Sequence, residues 1–296
     1  MLSGRSLALS NSGFMRKLDA SLNNVAFYQT VFSLPFAYMA ALLAANGAPD
    51  LMVMVWITLA IVSARSAALA LDNLIDLKYD KDQPRFSKRP MVAGEINKRD
   101  VILLIVICFA VLIISVLQLN PICIKLLPIA ALPFIIYPYM KRITCLCHYM
   151  CGLAVCMAPA GGWVAVTGEL SWTMFVLCLA VCLWIGGFDM VYGAQDEKFD
   201  KEHGLHSMAT AVGARNALII AQLTHVASLI CFIHLGQMLN LGLLYYAGVV
   251  IAAGTLYYQH SLITPSDFSA FTREYYMRNG IVSVAIFICT LASMYI

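Results

Sequence analysis

An all-α, polytopic membrane protein is the fold class this sequence predicts, on three observations. Of its 296 residues, 61% are hydrophobic and only 12% charged, well below the roughly 25% charged that soluble domains carry. Apolar runs close to the roughly 17–25 residues needed to span a bilayer recur at 25–46, 51–71, 101–119, 121–138, 145–167, 171–193, 216–235, 241–259 and 279–296. Nine such helices leave the basic residues on one side. Of 19 Lys and Arg residues, only Lys125 falls near the opposite face and Arg65 lies inside the second run. By the positive-inside rule that basic side, with the N-terminus, is cytoplasmic and the protein sits in an inner or plasma membrane. The net charge of +3 reports this topology and points to no nucleic-acid partner. No low-complexity linker divides the chain, so residues 1–296 are expected to form one membrane domain.

Residues 1–24 are a polar leader without a cleavable signal pattern. Phe14, Leu18 and Leu22 at i, i+4 and i+8 suit a short interfacial helix, and a solvated leader fits equally well. The second run ends in Asp72-Asn73-Leu74-Ile75-Asp76-Leu77-Lys78-Tyr79-Asp80. The third and fourth runs are separated by little more than Asn120-Pro121. Pro128, Pro133, Pro138, Pro159, Gly161-Gly162 and Gly186-Gly187 crowd the fourth to sixth runs, as they would around a cavity or through ordinary membrane-helix composition. Cys145, Cys147, His148 and Cys151 form the densest of the cysteine groups, yet lack the second spaced pair of a zinc site and read as packing. The sixth run ends in a second acidic segment, Asp189 to Asp200.

These two acidic segments carry the functional signal, because carboxylates near a bilayer are costly. Asp72, Asp76 and Asp80 fall at i, i+4 and i+8, and Asp189, Asp196 and Asp200 at i, i+7 and i+11, so each set is expected on one helical face. Asp76 and Asp80 repeat as Asp196 and Asp200 after 120 residues and four spans, which returns both pairs to the same side. Facing acidic arms would repel unless they held hard divalent cations, and Mg²⁺ shared with a diphosphate suits them. The bland reading pairs them instead with Lys78, Lys81, Lys198 and Lys201 as solvated loop charges. Arg85, Lys88, Arg89, Lys141 and Arg142 stand ready for a departing pyrophosphate, although basic residues are also what topology demands here. Arg65 needs a partner within the membrane, either Asp72 or an anionic substrate group. Tyr137, Tyr139, Tyr149 and Tyr192 lie near the expected mouth, and Tyr192 is best placed for a cation–π contact with an allylic cation.

Taken together, these residues resemble the UbiA superfamily of intramembrane aromatic prenyltransferases, closest to its 4-hydroxybenzoate polyprenyltransferase branch. The likeness runs through Phe32-Ser33-Leu34-Pro35-Phe36-Ala37, Arg65-Ser66-Ala67-Ala68, Asp76, Asp80, Arg85, Arg89-Pro90, Tyr137 to Thr144, and Asp189 to Tyr192 with Asp196, Asp200, Gly204 and Ser207. The resemblance implies nine helices around a central cavity with cytoplasmic caps. It also implies a polyprenyl diphosphate bound through Mg²⁺ to Asp76, Asp80, Asp196 and Asp200, and Asp72 is expected as an added ligand. An aromatic acid acceptor is implied beside Asp189 and Tyr192. Arg65, Asp72, Asn73, Arg85, Tyr137, Lys141 and Arg142 are candidate substrate contacts. A quinone route follows: 4-hydroxybenzoate toward ubiquinone, or a naphthoate toward menaquinone. The chain departs from the family in having Asp72 for the usual Asn, Asn73 for Asp or Arg, and Phe86 for Thr. An extra carboxylate would tighten metal binding or change its pH dependence.

Two other function classes compete. A cation-coupled transporter would place its carboxylates near the bilayer midplane at broken helices, whereas these lie at helix ends. A non-catalytic membrane scaffold would leave both acidic arms unexplained.

Overall fold

The structure, a computed structural model, describes residue 17, residues 19–25 and residues 27–296. Phe14 and Leu18 of the expected interfacial stripe lie outside the described residues; Leu22 lies in a short helical stretch and is exposed. A 3₁₀ turn at Phe27–Phe32 leads into α1 (Leu34–Ala45), α2 (Leu51–Asp82), α3 (Lys98–Leu117), α4 (Pro121–Met140), α5 (Cys147–Thr167) and α6 (Trp172–Ala194). Two short helices follow, α7 (Glu197–Glu202) and α8 (Met208–Val212). The chain closes with α9 (Ala214–Met238), α10 (Leu243–Ser261) and α11 (Arg273–Tyr295). The nine longer helices follow the nine expected runs in order. Seven of them are long and apolar enough to cross a membrane; α1, at 12 residues, and the tyrosine-rich α10 fall outside that group.

Local chemistry sets the helix starts. Asp50 Oδ1 accepts the Met52 N–H at 2.8 Å at the head of α2. Asn97 and Asp100 form a reciprocal capping box on α3, and Ser171 Oγ accepts the Met174 N–H at 3.1 Å on α6. Each satisfies a donor that a helix N-terminus leaves without an intrahelical partner. Asn120 caps α4 through the Ile122 N–H at 3.1 Å, with Pro121 as its first residue. The brief break between α3 and α4 is therefore a designated helix start.

The centre of the bundle is α6, packed against α5 and α9. Its most apolar window is 72% buried, against 28% in α3. The outer helices instead expose Leu103, Val106 and Ile114 on α3 and Leu223, Val226 and Ile230 on α9. Large exposed aliphatic faces of this kind suit contact with lipid. Close approach between inner helices depends on glycine. A Cβ at Gly152 would lie 2.1 Å from the Cys182 carbonyl oxygen, and one at Gly162 would lie 2.3 Å from that of Ala37. The glycines thus serve helix contact, as small residues do in membrane bundles, while Gly161 borders open space.

With 32 residues, α2 is about 48 Å long at 1.5 Å per residue. The hydrocarbon layer is about 30 Å thick, so one end of α2 must project from it. The sequence assigns 51–71 to the span, leaving Asp72 to Asp82 on the projecting turns. The second acidic segment differs from expectation. It is no continuous helix, because α6 stops at Ala194 and the Asp196 N–H turns back to the Gly193 carbonyl at 3.0 Å before α7 begins. The i, i+7, i+11 register therefore gives way to a turn that redirects Asp196.

Candidate active site

The face of α2 that bears Asp72, Asp76 and Asp80 lines one pocket of about 90 Å³. The facing wall is Asp189, Tyr192, Gly193 and Asp196, from the end of α6 and the turn after it. The end of α4 adds Tyr137, Pro138 and Lys141, and the start of α5 adds Cys147 and His148. Arg85 and Phe86, from a 3₁₀ turn at Pro84–Phe86, and Arg89 complete the wall. The two acidic arms therefore do meet. Asp200 lies in α7 outside this lining and is 1% exposed.

Each of the four central aspartates has its own cation. Arg142 Nη2 donates to Asp76 Oδ1 at 2.9 Å and to the Ile75 carbonyl at 3.1 Å. Arg89 pairs with Asp80, and Arg85 with Asp196. Lys141 Nζ lies 3.3 Å from each oxygen of Asp200, although Asp200 Oδ2 makes no hydrogen bond. Gln83 Nε2 adds a hydrogen bond of 2.6 Å to Asp196 Oδ1. None of these partners is Lys78, Lys81, Lys198 or Lys201, and Lys201 instead pairs with Glu197. Asp80 and Asp196 are 4% and 5% exposed, so they are not solvated loop charges.

Burial pushes the Asp196 carboxyl above its ordinary value, and the charges of Arg85 and Lys141 only partly oppose it. For Lys141, burial works against the ammonium, but Asp200 and Asp196 outweigh it and raise its pKa. Lys141 is held charged beside the pocket. The Arg85 guanidinium lies 4.3 Å from the Phe86 ring centre and 4.5 Å from that of Tyr192, and Arg89 lies 3.7 Å from Phe86. Phe86 therefore carries two arginines on its ring.

A larger chamber of about 720 Å³ adjoins the pocket and shares Asp72, Arg85, Phe86, Arg89, Tyr137, Asp189 and Tyr192 with it. Arg65 and Asn73 line this chamber. Arg65 does not pair with Asp72: Nη2 reaches Gln29 Oε1 at 3.5 Å, and Nε is buried without a partner among the described residues. Gln29 also accepts from the Tyr276 hydroxyl at 3.2 Å. Asn73 Nδ2 donates to the Asn24 carbonyl at 2.6 Å, so it ties the N-terminal segment to α2. Beyond Arg65 runs an apolar cavity of about 380 Å³ between α2, α3, α4 and α5, lined by Ala64, Phe109, Leu126 and Phe134. Tyr139 is exposed, with Arg142 5.3 Å from its ring, and Tyr149 turns to the Thr224 hydroxyl at 2.9 Å. Neither lines the pocket.

Sequence reasoning missed His148, Gln83 and Gln29. His148 lies 2.7 Å from Asp189 and is 1% exposed. Its neighbours in the chain are cysteines and apolar residues, which gave it the look of packing.

The donor set suits a hard divalent cation, since carboxylate oxygens dominate the pocket. Among the described residues, no three His, Cys, Asp or Glu side chains converge closely enough to hold an ion as they stand. The arginines and lysine already occupy the carboxylates, so a bound metal would have to displace some of those pairs.

Helical bundle, projecting acidic arms and paired cations define a multi-pass membrane protein with a polar site opening onto apolar space. Residues 33–281 match the UbiA prenyltransferase family. The 4-hydroxybenzoate octaprenyltransferase of Vibrio cholerae serotype O1 is 35% identical over 248 residues, 82% of this chain and 87% of that one. The apo structure of a UbiA homolog from Aeropyrum pernix K1 superposes with a TM-score of 0.81 at 29% identity, covering 90% of this chain and 98% of that one. A UbiA homolog from Archaeoglobus fulgidus bound to GPP and Mg²⁺ shares the fold, with a TM-score of 0.71 at 18% identity over 94% of this chain and 100% of that one. The chain belongs to the UbiA family and is a membrane prenyltransferase. That membership sets aside the transporter and scaffold readings.

Proposed function

We propose that this protein transfers a polyprenyl group from a polyprenyl diphosphate to 4-hydroxybenzoate on the ubiquinone route, with its pocket open to the cytoplasm. The observation that carries the reading is the convergence of both acidic segments on one pocket, spanned by the Arg85–Asp196 pair. The acceptor is the one in the name of the Vibrio relative. Asp72, Asp76, Asp80, Asp196 and Asp200 are the residues that would hold Mg²⁺. When bound, Mg²⁺ supplies positive charge to the diphosphate oxygens.

Arg85, Arg89, Lys141 and Arg142 stand beside the same carboxylates and hold the diphosphate as negative charge develops on it. Asp189 and Tyr192 lie where pocket and chamber meet and contact the acceptor's phenol end. Arg65, with a buried unpartnered Nε in the chamber wall, takes the acceptor's carboxylate. The cavity beyond it takes the first part of the prenyl tail. Tyr137 and Tyr192 present aromatic faces to the allylic carbon. The carbon–oxygen bond to diphosphate breaks with its electron pair leaving on the diphosphate. A ring carbon ortho to the hydroxyl supplies the pair for the new carbon–carbon bond, and the proton at that carbon passes to the released diphosphate, which restores aromaticity.

The test is transfer by purified protein with Mg²⁺, a polyprenyl diphosphate and separate aromatic acceptors, read by mass analysis of the lipid products. Prenylated 4-hydroxybenzoate is the expected product. Transfer to a naphthoate acceptor alone would redirect the reading to the menaquinone route, and transfer to no aromatic acid would end it.

A further inference from the structure

The geometry points to His148 as a positioning residue that fixes Asp189 toward the acceptor hydroxyl, an inference that rests on the aromatic-acceptor reading above. The Met208 N–H donates to His148 Nε2 at 3.3 Å. A backbone N–H can only donate, so this contact holds the Nε2 edge of the ring and turns Nδ1 toward Asp189. Nδ1 donates its proton to Asp189 Oδ2 across 2.7 Å. His148 is thus a donor clamped from both ends, with its side chain 1% exposed, while Asp189 keeps 22% of its side chain exposed on the pocket side.

The site around the ring is built for it. A Cβ on Gly193 would lie 2.7 Å from His148 Cε1, so the bare backbone of α6 leaves the space that the imidazole fills. The Met208 N–H belongs to the first turn of α8, where helix geometry leaves donors unpaired. Asp189 also differs from its neighbours. Asp76, Asp80, Asp196 and Asp200 each face a Lys or Arg, whereas Asp189 receives its hydrogen bond from a buried imidazole. Its orientation is fixed by a ring that is itself held in place from its far edge. Such a carboxylate can accept the hydrogen bond of a phenol and push electron density toward the ortho carbon.

The experiment compares steady-state kinetics of wild type, His148→Leu, His148→Asn, Asp189→Asn and the His148→Leu/Asp189→Asn double variant, with each substrate varied in turn. Asn places an amide donor near the position of Nδ1. Leu is expected to lower kcat/KM for the acceptor by roughly ten- to a hundredfold, the range of a lost charge-assisted hydrogen bond. The KM for the prenyl diphosphate should stay within about twofold, and Asn should recover most of the loss. The double variant should be no worse than Asp189→Asn, because His148 acts through that carboxylate. A wild-type rate in the Leu variant, or losses that multiply in the double variant, would overturn the assignment, as would equal damage to both substrates. If Leu fails to fold, as judged by thermal unfolding in detergent, Asn alone decides, and an Asn variant that folds yet has lost acceptor turnover counts against it. Wild-type protein that prenylates no aromatic acceptor overturns the underlying functional reading instead, and with it the substrate on which this role depends.

Discussion

Arg85 and Asp196 form an ion pair that joins the two acidic segments across the pocket, although 111 positions separate them in the chain. Gln83 holds the other oxygen of the same carboxylate at 2.6 Å. Asp196 is therefore fixed by two side chains from the turn that follows α2. Asp196→Asn keeps the shape and removes the charge that metal and arginine both need. It is expected to lower kcat/KM by about a hundredfold or more, the scale seen when a group that stabilises transition-state charge is removed. The protein should still be recovered from membranes in normal amount. Turnover within a few-fold of wild type at saturating Mg²⁺ would contradict the role.

Asp196 also makes Mg²⁺ activation depend on pH. Burial raises its pKa, with Arg85 and Lys141 only partly offsetting the effect. A proton therefore stays on this carboxyl at pH values where an ordinary aspartate, with a pKa of about 3.9, has lost it. Protons and Mg²⁺ compete for the same oxygens. The Mg²⁺ concentration for half-maximal activity should rise as pH falls, and the rise should begin at a pH above the ordinary aspartate range. A half-maximal concentration that stays flat until pH enters the ordinary aspartate range would refute the competition.

The sequence already shows why the fold was readable and where reading stopped. Long apolar runs mark helices because a bilayer leaves the backbone few alternatives. Asn120-Pro121 accordingly marked the start of α4 correctly. Residues 195–212 carry no such signal; they are polar and turn-rich, so the break at Ala194 and the short α7 and α8 were not foreseen. Asp76, Asp80, Asp196 and Asp200 stood out as carboxylates at helical spacing. Arg142, Arg89, Arg85 and Lys141 stood out as cations nearby, but which aspartate each one pairs with did not, because they reach them through tertiary packing, and only Arg89 is near its partner in sequence. His148 was hidden for the same reason: its meaning lies in Asp189 and Gly193, 41 or more positions away.

Glu197 offers a stability test away from the pocket. Its Oε2 accepts the Ala214 N–H at 2.9 Å at the head of α9, and its Oε1 accepts from Lys201 at 2.6 Å. These bonds, the one from Lys201 foremost, hold the carboxyl below its ordinary value. A depressed folded-state pKa adds stability above the unfolded value, and that stability is lost as pH falls through the folded value. Glu197→Gln should cost about 1 kcal/mol near neutral pH. The difference from wild type should shrink below about pH 4 in thermal unfolding of detergent-solubilised protein.

Gly162 tests the helix contact between α1 and α5. A methyl group there would sit 2.3 Å from the Ala37 carbonyl oxygen, and backbone cannot swing aside as a side-chain tip can. Gly162→Ala should destabilise the protein by about 1–3 kcal/mol, the cost of overpacking. Gly161→Ala is the control, because no atom lies within 4 Å of a Cβ added there. Equal melting temperatures for the two variants would contradict the contact.

Phe86 shows how one ring can organise two charges. Arg85 and Arg89 lie 4.3 and 3.7 Å from its centre, and each also pairs with an aspartate from a different acidic arm. Without the ring, two guanidinium groups so close together would repel and spread into the pocket. A partly desolvated cation–π contact contributes about 0.5–2 kcal/mol, so removing two such contacts is expected to weaken diphosphate binding by about tenfold. Phe86→Leu keeps the bulk and loses the quadrupole, whereas Phe86→Tyr keeps both. The KM for the prenyl diphosphate should therefore rise in the Leu variant and stay near wild type in the Tyr variant, with the acceptor KM little changed in either. Loss of diphosphate affinity in Tyr as large as that in Leu would mean that the ring acts through its volume or its fit in the wall, and the electrostatic account of Phe86 would fail.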